Sequence, residues 1–242
     1  MQVVLLAGGL GTRLSEQTRT VPKALVKIGQ EPIIVHLIKF YQLQGCNEFL
    51  VCLGYKGNLI KKFFLTKKNQ KKFKNLDIKL INTGQKSFTG ERLKRIKKYI
   101  KGNFYFTYCD GLSNVNIKKT LQLFNKSKKT ALVTAVNPRN RFGVLTIGKN
   151  NTVLNFDEKS KNLKTWINGG FFIFSKKIFK YITGHNEILE REPLIKISQD
   201  KQLIAYKHRG FWQCMDTLKD KMLLNKIWKK SKNFDLDDKN LL

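Results

Sequence analysis

Residues 6–23 read LAGGLGTRLSEQTRTVPK and follow directly on the apolar run Val3, Val4, Leu5, Leu6. A short apolar run that stops at a glycine cluster is the pattern of a buried strand entering a turn. Three glycines stand within four positions (Gly8, Gly9, Gly11), followed by Thr12 and Arg13, and such a loop can turn its backbone amides inward on an anion. Arg13 adds a forked, permanently charged donor, and Lys23, fixed behind Pro22, adds a compact point charge. One loop therefore offers several donors to a polyphosphate.

Spacing excludes the generic versions of this loop. Counting GxGxxG from Gly9 puts Leu14 where a dinucleotide fingerprint needs its third glycine. No Gly-Lys-Ser/Thr follows at P-loop spacing either. At these residues the chain resembles the sugar-1-phosphate nucleotidyltransferases, whose signature is an N-terminal strand, then AGGxGTRL, then PK. The resemblance makes Leu6, Ala7, Gly8, Gly9, Leu10, Gly11, Thr12, Arg13 and Lys23 the triphosphate-binding set, with Arg13 and Lys23 catalytic. A glycine-rich turn with no ligand is the bland alternative for Gly8 to Gly11 taken alone.

Outward from the loop, strand and helix patterns alternate. Leu25 to Ile28 reads as a short strand, and Pro32 opens a helix with Ile33, Ile34, Leu37, Ile38 and Tyr41 on one face before Gly45 stops it. Glu48 to Leu53, Asp77 to Ile81 and Phe104 to Tyr108 read as strands, with a helix after Gly57 and another from Thr89 to Ile100. Lys67 to Lys74 reads as a helix end and a solvated loop; the lone interleaved aromatic, Phe73, makes a poor base-stacking platform. Strands alternating with helices argue for an α/β fold with both sheet faces covered. Ligands of such sheets bind beyond the carboxyl ends of strands, where both the Gly8 loop and Asp110 lie.

The second half carries strand-like runs at Ala131 to Val136, Gly143 to Ile147, Thr152 to Phe156, Trp166 to Phe174 and Leu203 to Tyr206. Short helices are expected near Lys176 to Ile182 and Leu194 to Ser198, and a last one from Thr217 to about Trp228 with Leu218, Met222 and Ile227 inward. The fold expected from pattern and resemblance together is a Rossmann-like three-layer α/β arrangement around a central mixed, mostly parallel sheet. With 242 residues, 41% of them hydrophobic, and no Pro-, Gly- or Ser-rich linker, one domain is expected. Residues 1–130 form its nucleotide-binding half, 131–230 its sugar-phosphate-binding half, and 231–242 a C-terminal tail.

Asp110 stands at a strand end, and Asp216 follows the apolar segment Phe211 to Met215. Two carboxylates with phosphate oxygens and water make an ordinary magnesium site. Each aspartate alone also fits a cap or turn, and Asp216, just before Thr217 at a helix start, fits an N-cap as well. The resemblance decides between these readings: CDG at 109–111 and WQCMD at 212–216 are similar to that family's GDG and its later aspartate, the two Mg²⁺ ligands. Glu158-Lys159 is similar to the family's EKP, with Ser160 in place of proline, which implies a sugar-phosphate site completed by Asn168, Gly169 and Gly170. On their residues alone, the first pair is an exposed ion pair and the glycines a β-bulge.

Within the family the resemblance is to the glucose-1-phosphate cytidylyltransferases, over nearly the whole chain from Met1 to about Ser231. It is carried by NTG at 82–84, SFTGERLKR at 87–95 and VTAVNPRNRFGVLTI at 133–147. It implies that Ser87 and Arg92 contact the cytosine side of CTP and that Cys109 lends backbone contact; an arginine, which has donors only, suits the carbonyl and ring-nitrogen acceptors of cytosine. The chain departs from that pattern at Glu91 and Cys109, each standing for a glycine, and in a shorter segment between Gly57 and Asp77. The implied reaction joins CTP to glucose 1-phosphate with release of pyrophosphate, in nucleotide-sugar synthesis for surface polysaccharide. Uridylyl or thymidylyl transfer to another sugar 1-phosphate is the alternative within the class, and a non-catalytic nucleotide-sugar-binding subunit the alternative outside it.

The net charge of +30, from 47 Lys and Arg against 17 Asp and Glu, concentrates anions and gives loose nucleic-acid binding. No reader motif accompanies it, so no specific nucleic-acid partner is expected. The four cysteines show no CxxC pair, which suits a reduced, cytoplasmic chain. The first apolar run is too short for a membrane span, and a homo-oligomer is left open. The three histidines are expected to be structural or exposed.

Overall fold

In the computed structural model, which describes residues 1–9, 11, 14, 18–138, 144–157 and 165–231, every residue of β1 (Gln2–Leu6) is buried. A strand hidden on both faces needs a packing layer on each side. Side chains alternate along it: Val3 and Leu5 enter one core with Ile34, Leu37, Ile38 and Tyr41, while Val4 and Leu6 enter another with Leu93, Ile96, Ile100 and Ile178.

The remaining elements are β2 (Lys27–Ile28), β3 (Glu31–Pro32), α1 (Ile33–Leu43), β4 (Glu48–Leu53), α2 (Gly57–Leu65), α3 (Lys67–Lys72), β5 (Asp77–Asn82), α4 (Thr89–Arg95), β6 (Phe104–Tyr108) and β7 (Gly111–Ser113). They continue with α5 (Ile117–Ser127), β8 (Ala131–Val136), β9 (Val144–Ile147), β10 (Val153–Asp157), β11 (Ile167–Phe174), α6 (Glu192–Gln199), β12 (Leu203–His208), β13 (Trp212–Cys214) and α7 (Leu218–Lys230). Seven strands form one sheet in the order β12-β8-β11-β6-β1-β4-β5. Its pairs are parallel except those of β11, which runs antiparallel to both β6 and β8. This is the mixed, mostly parallel sheet expected. Leu6 is in register with Cys52 on one side and Tyr108 on the other, so the chain leaves β1, β4 and β6 at one edge.

Several local expectations are corrected. Thr89 to Ile100 is not one helix: α4 ends at Arg95 and a 3-10 turn, Lys97–Tyr99, follows, although Leu93, Ile96 and Ile100 are buried as their spacing requires. Lys67–Lys72 is a helix of its own rather than a loop, because the Thr66 hydroxyl accepts from the Asn69 amide at 3.3 Å and caps it. Phe73 is buried against Phe64, ring centroids 5.6 Å apart, and so offers no stacking face. Residues 23–28 divide into a 3-10 turn, Lys23–Leu25, and the two-residue β2, and Lys176–Lys180 is also 3-10. In α7 the inward residues are Leu224 and Ile227, whereas Met222 is exposed. Helix α5 is not expected from the sequence reading; Asn116 caps it, and Ile117, Thr120 and Phe124 fill its buried side. Gly143 lies outside the described residues.

Candidate active site

The strand-to-glycine passage places its carbonyls at the back of the loop. Gly8 O accepts from the Tyr55 amide at 3.2 Å and from Arg92 Nη2 at 2.9 Å. Gly11, at φ +67, has its carbonyl taken by the Thr18 hydroxyl at 3.0 Å and the Leu14 amide at 3.0 Å. With these negative ends turned into protein, the open side of the loop suits an anion. Lys56 braces the segment behind it by donating to the carbonyls of Thr18 and Arg19.

Arg92 is buried beneath this loop. Nη1 donates to Gly84 O at 2.8 Å, Thr83 Oγ1 at 2.9 Å and Leu53 O at 3.2 Å, and Nη2 donates to Gly8 O and to Gln85 O at 3.3 Å. A Cβ on either Gly8 or Gly54 would strike the guanidinium, so these two glycines form the slot that holds it. The Nη hydrogens are committed to protein acceptors, and Nε–H has no acceptor among the described residues. Glu91 does not compete for Arg92, because its carboxylate takes Arg95 Nε at 2.7 Å.

The two aspartates meet although the sequence separates them widely. Asp110 follows β6 and Asp216 follows β13, and the small antiparallel ribbon of β7 with β13 pairs Cys214 with Gly111. The Met215 amide donates to Asp110 O at 2.7 Å. Lys23 Nζ then lies 2.8 Å from Asp110 Oδ2 and 2.8 Å from Asp216 Oδ1. Burial works against the charge on Lys23, but Asp110 and Asp216 outweigh it and hold the ammonium pKa above the usual 10.5. Asp216 is not the cap of α7. Thr217 is, in a capping box with Asp220, whose carboxylate accepts from the Asp216 amide at 3.1 Å and the Thr217 amide at 2.8 Å.

Leu6, Ala7, Gly8, Gly9, Gly11, Lys23, Ser87, Arg92, Cys109 and Asp110 all line one cleft of about 410 Å³. Ala24, Gln85, Lys86, Phe88, Thr89, Tyr108 and Ile188 complete that wall. Positive φ among the described non-glycine residues is confined to Lys56, Lys128, Asn150, Asn151, Asn186 and Lys201, so Cys109 carries its side chain at negative φ. Burial pushes its thiol pKa well up, which leaves it an inert side chain at neutral pH. Asn168, Gly169 and Gly170 are not part of this wall but adjoin it. Gly169 O accepts from Trp212 Nε1 at 2.8 Å, and Gly170, at φ +80, packs against the Tyr108 ring, where a Cβ would come within 2.7 Å.

Leu10, Thr12, Arg13, Glu158 and Lys159 lie outside the described residues. Sequence reasoning missed Gly54, Thr83, Tyr108, Glu190 and Asp220. Gly54, directly after the apolar strand ending at Leu53, carried a signal; the others became relevant only through contacts far along the chain. Two of the histidines are structural: His36 Nε2 pairs with Ile28 O at 2.9 Å, and His208 Nε2 with Phe211 O at 3.0 Å. Among the described residues no three His, Cys, Asp or Glu side chains gather as a metal cage, and no helix is long and apolar enough to cross a membrane.

The sequence pattern described as Nucleotidyl transferase matches residues 2–220. The glucose-1-phosphate cytidylyltransferases of Salmonella typhimurium and Salmonella typhi are each 40% identical to the chain, over 96% of it and 97% of their own length. Among solved structures, HddC from Yersinia pseudotuberculosis superposes with a TM-score of 0.73 at 24% identity, covering 94% of this chain and 99% of that one, a likeness of fold.

Proposed function

The chain belongs to the nucleotidyl transferase family, and we propose that it joins CTP to glucose 1-phosphate, releasing pyrophosphate and forming CDP-glucose. The observation that carries this reading is the cleft in which the Gly8 loop, Lys23 and Asp110 stand beside the Ser87–Arg92 segment, with Asp216 converging from behind on the same Lys23 ammonium. Its specificity rests on the 40% identity to the Salmonella enzymes over nearly full length.

In the reaction, an oxygen of the sugar 1-phosphate attacks the α-phosphorus of the triphosphate in line. A new P–O bond forms, the bond from α-phosphorus to the β-phosphate oxygen breaks, and pyrophosphate leaves with the electron pair. The nucleophile is already an anion, so no side chain need deprotonate it. This chain's work is positioning and charge neutralisation. The Gly8 loop with Arg13 and Lys23 takes the triphosphate, and Lys159 with Glu158 and Asn168 to Gly170 takes the sugar phosphate.

Asp110 and Asp216 fit a divalent cation, because both already converge on a single ammonium group at 2.8 Å. Two carboxylates completed by phosphate oxygens and water are the donor set magnesium accepts. Bound there, Mg²⁺ would neutralise charge on the triphosphate. These substrates place the reaction in the cytoplasm.

The test is pyrophosphate release from CTP, UTP, dTTP, ATP and GTP against a panel of sugar 1-phosphates. The expected result is turnover with CTP and glucose 1-phosphate. Absence of turnover with every pair would return the chain to the binding-subunit alternative.

A further inference from the structure

Glu190 stands just before α6, where nothing in the reaction above calls for a carboxylate. Its Oε1 takes the hydroxyl proton of Tyr108, and its Oε2 takes that of Thr89 at 2.6 Å. Both hydroxyl residues line the cleft, and Glu190 joins them. Tyr108 ends β6 and carries Gly170 on its ring; Thr89 opens α4, the helix of Arg92.

The chemistry of this triad is directional. An ionised carboxylate only accepts, whereas a hydroxyl has one proton and two lone pairs. Both protons are therefore drawn to Glu190. Thr89 Oγ1 also accepts the Leu189 amide at 2.9 Å, so its remaining capacity is small. Tyr108 is left as an oxygen fixed in the accepting sense beside the Asn168–Gly170 segment. There Asn168 Oδ1 takes the Gly170 amide at 2.8 Å, and the Asn168 side chain reaches the Tyr108 hydroxyl oxygen.

We propose that Glu190 is a positioning residue for the sugar 1-phosphate: by holding the Tyr108 hydroxyl it fixes the surface that Asn168, Gly169 and Gly170 present to the sugar, and with it the pattern of sugar hydroxyls the cleft accepts. This rests on the nucleotidyl-transfer reading given above. Gln in place of Glu190 brings an N–H donor to one of the two hydroxyls, which must then turn its proton away. Phe in place of Tyr108 keeps the ring on Gly170 and removes only the oxygen.

Steady-state pyrophosphate release, with each substrate varied in turn, tests the proposal in wild type, Glu190→Gln, Tyr108→Phe and the double variant. The expected result is a KM for glucose 1-phosphate raised about five- to tenfold, the effect of roughly one lost hydrogen bond, with the KM for CTP within about twofold. Discrimination against galactose 1-phosphate should fall in parallel, and the double variant should be no worse than the poorer single one. Equal rises in both KM values, or a lowered melting temperature with the sugar KM unchanged, would overturn the proposal and leave Glu190 a loop tie. If Glu190→Gln does not fold, Tyr108→Phe alone decides by the same criterion. A wild type without turnover on any sugar 1-phosphate overturns the functional reading and this inference with it.

Discussion

Lys23 Nζ stands 2.8 Å from a carboxylate oxygen of Asp216, 193 residues further along the chain. The same ammonium is equally close to Asp110, so three charges share one point without an α7 cap among them. Replacing Asp216 by Asn should then remove catalysis and spare the helix, since Thr217 and Asp220 do the capping. Turnover should fall on the order of a hundredfold or more, with the melting temperature nearly unchanged. Calorimetry and pyrophosphate release on Asp216→Asn and Asp110→Asn check this together. Wild-type rates in either variant would remove the pair from the reaction.

The guanidinium of Arg92 links the glycine loop at Gly8 to the 83–85 segment. Lysine has no fork and cannot reproduce these bonds, so Arg92→Lys should cost about 2 kcal/mol or more of stability and raise the KM for nucleotide. Gly54 makes the sharper test because it lies behind the guanidinium. A methyl group added there meets the guanidinium, and Gly54→Ala should lose roughly 1 to 3 kcal/mol and weaken nucleotide binding in the same way. A Gly54→Ala variant with wild-type melting and nucleotide KM would show that the slot is looser than the contacts indicate.

Much of the architecture was legible because local pattern and global fold agree. Val3 to Leu6 and Phe49 to Leu53 are continuous apolar runs, Phe104 to Tyr108 is an aromatic run broken only by Thr107, and all three became adjacent central strands. The short elements were not legible. β7 and β13 have three residues each, too few for periodicity to register, yet they bring Asp110 to Asp216. Helix α5 escaped because its polar residues outnumber the buried positions, Ile117, Thr120 and Phe124, one of which is itself a threonine. The glycine loop could be read as an anion cradle, but that Arg92 is committed to five acceptors depends on residues from Gly8 to Gln85 folding around it, which spacing cannot reveal.

Acid sensitivity should begin with His36. Burial, with Lys39 as a smaller influence, holds its pKa below the ordinary 6.5 despite the bond to Ile28 O. As pH falls through 6.5 the unfolded chain takes up a proton before the folded one, so stability present above that pH is lost as pH drops through the folded value. Melting temperature should therefore decline between about pH 7.5 and 5.5, and His36→Gln should flatten that part of the profile. A wild-type curve that is level across this window contradicts a neutral buried His36.

The charge of +30 predicts nucleic-acid binding of the non-specific kind only. Association with random duplex DNA should weaken on the order of a hundredfold or more from low to physiological salt. Fluorescence anisotropy across a salt series measures the slope, and tight binding retained at physiological salt would reopen a nucleic-acid role.

Base choice is the most demanding consequence of the Ser87–Arg92 segment. Cytosine offers acceptors at O2 and N3, whereas uracil carries a proton on N3. Ser87 and Arg92 are donor-bearing residues of the cleft wall, and Arg92 cannot be drawn away by Glu91, which is engaged with Arg95. A donor left facing the uracil N3 proton is unpaired at a cost of roughly 1 to 3 kcal/mol, so CTP should exceed UTP by at least about tenfold in kcat/KM. Ser87→Ala should shrink that ratio mainly through CTP while leaving melting unchanged. Arg92→Ala should shrink it too, but with a loss of stability, because Gly8 O and the 83–85 segment lose their common donor. Competition assays with both nucleotides present give the ratio directly. Equal use of CTP and UTP by the wild type, or an unchanged preference in both variants, would move base selection away from this segment.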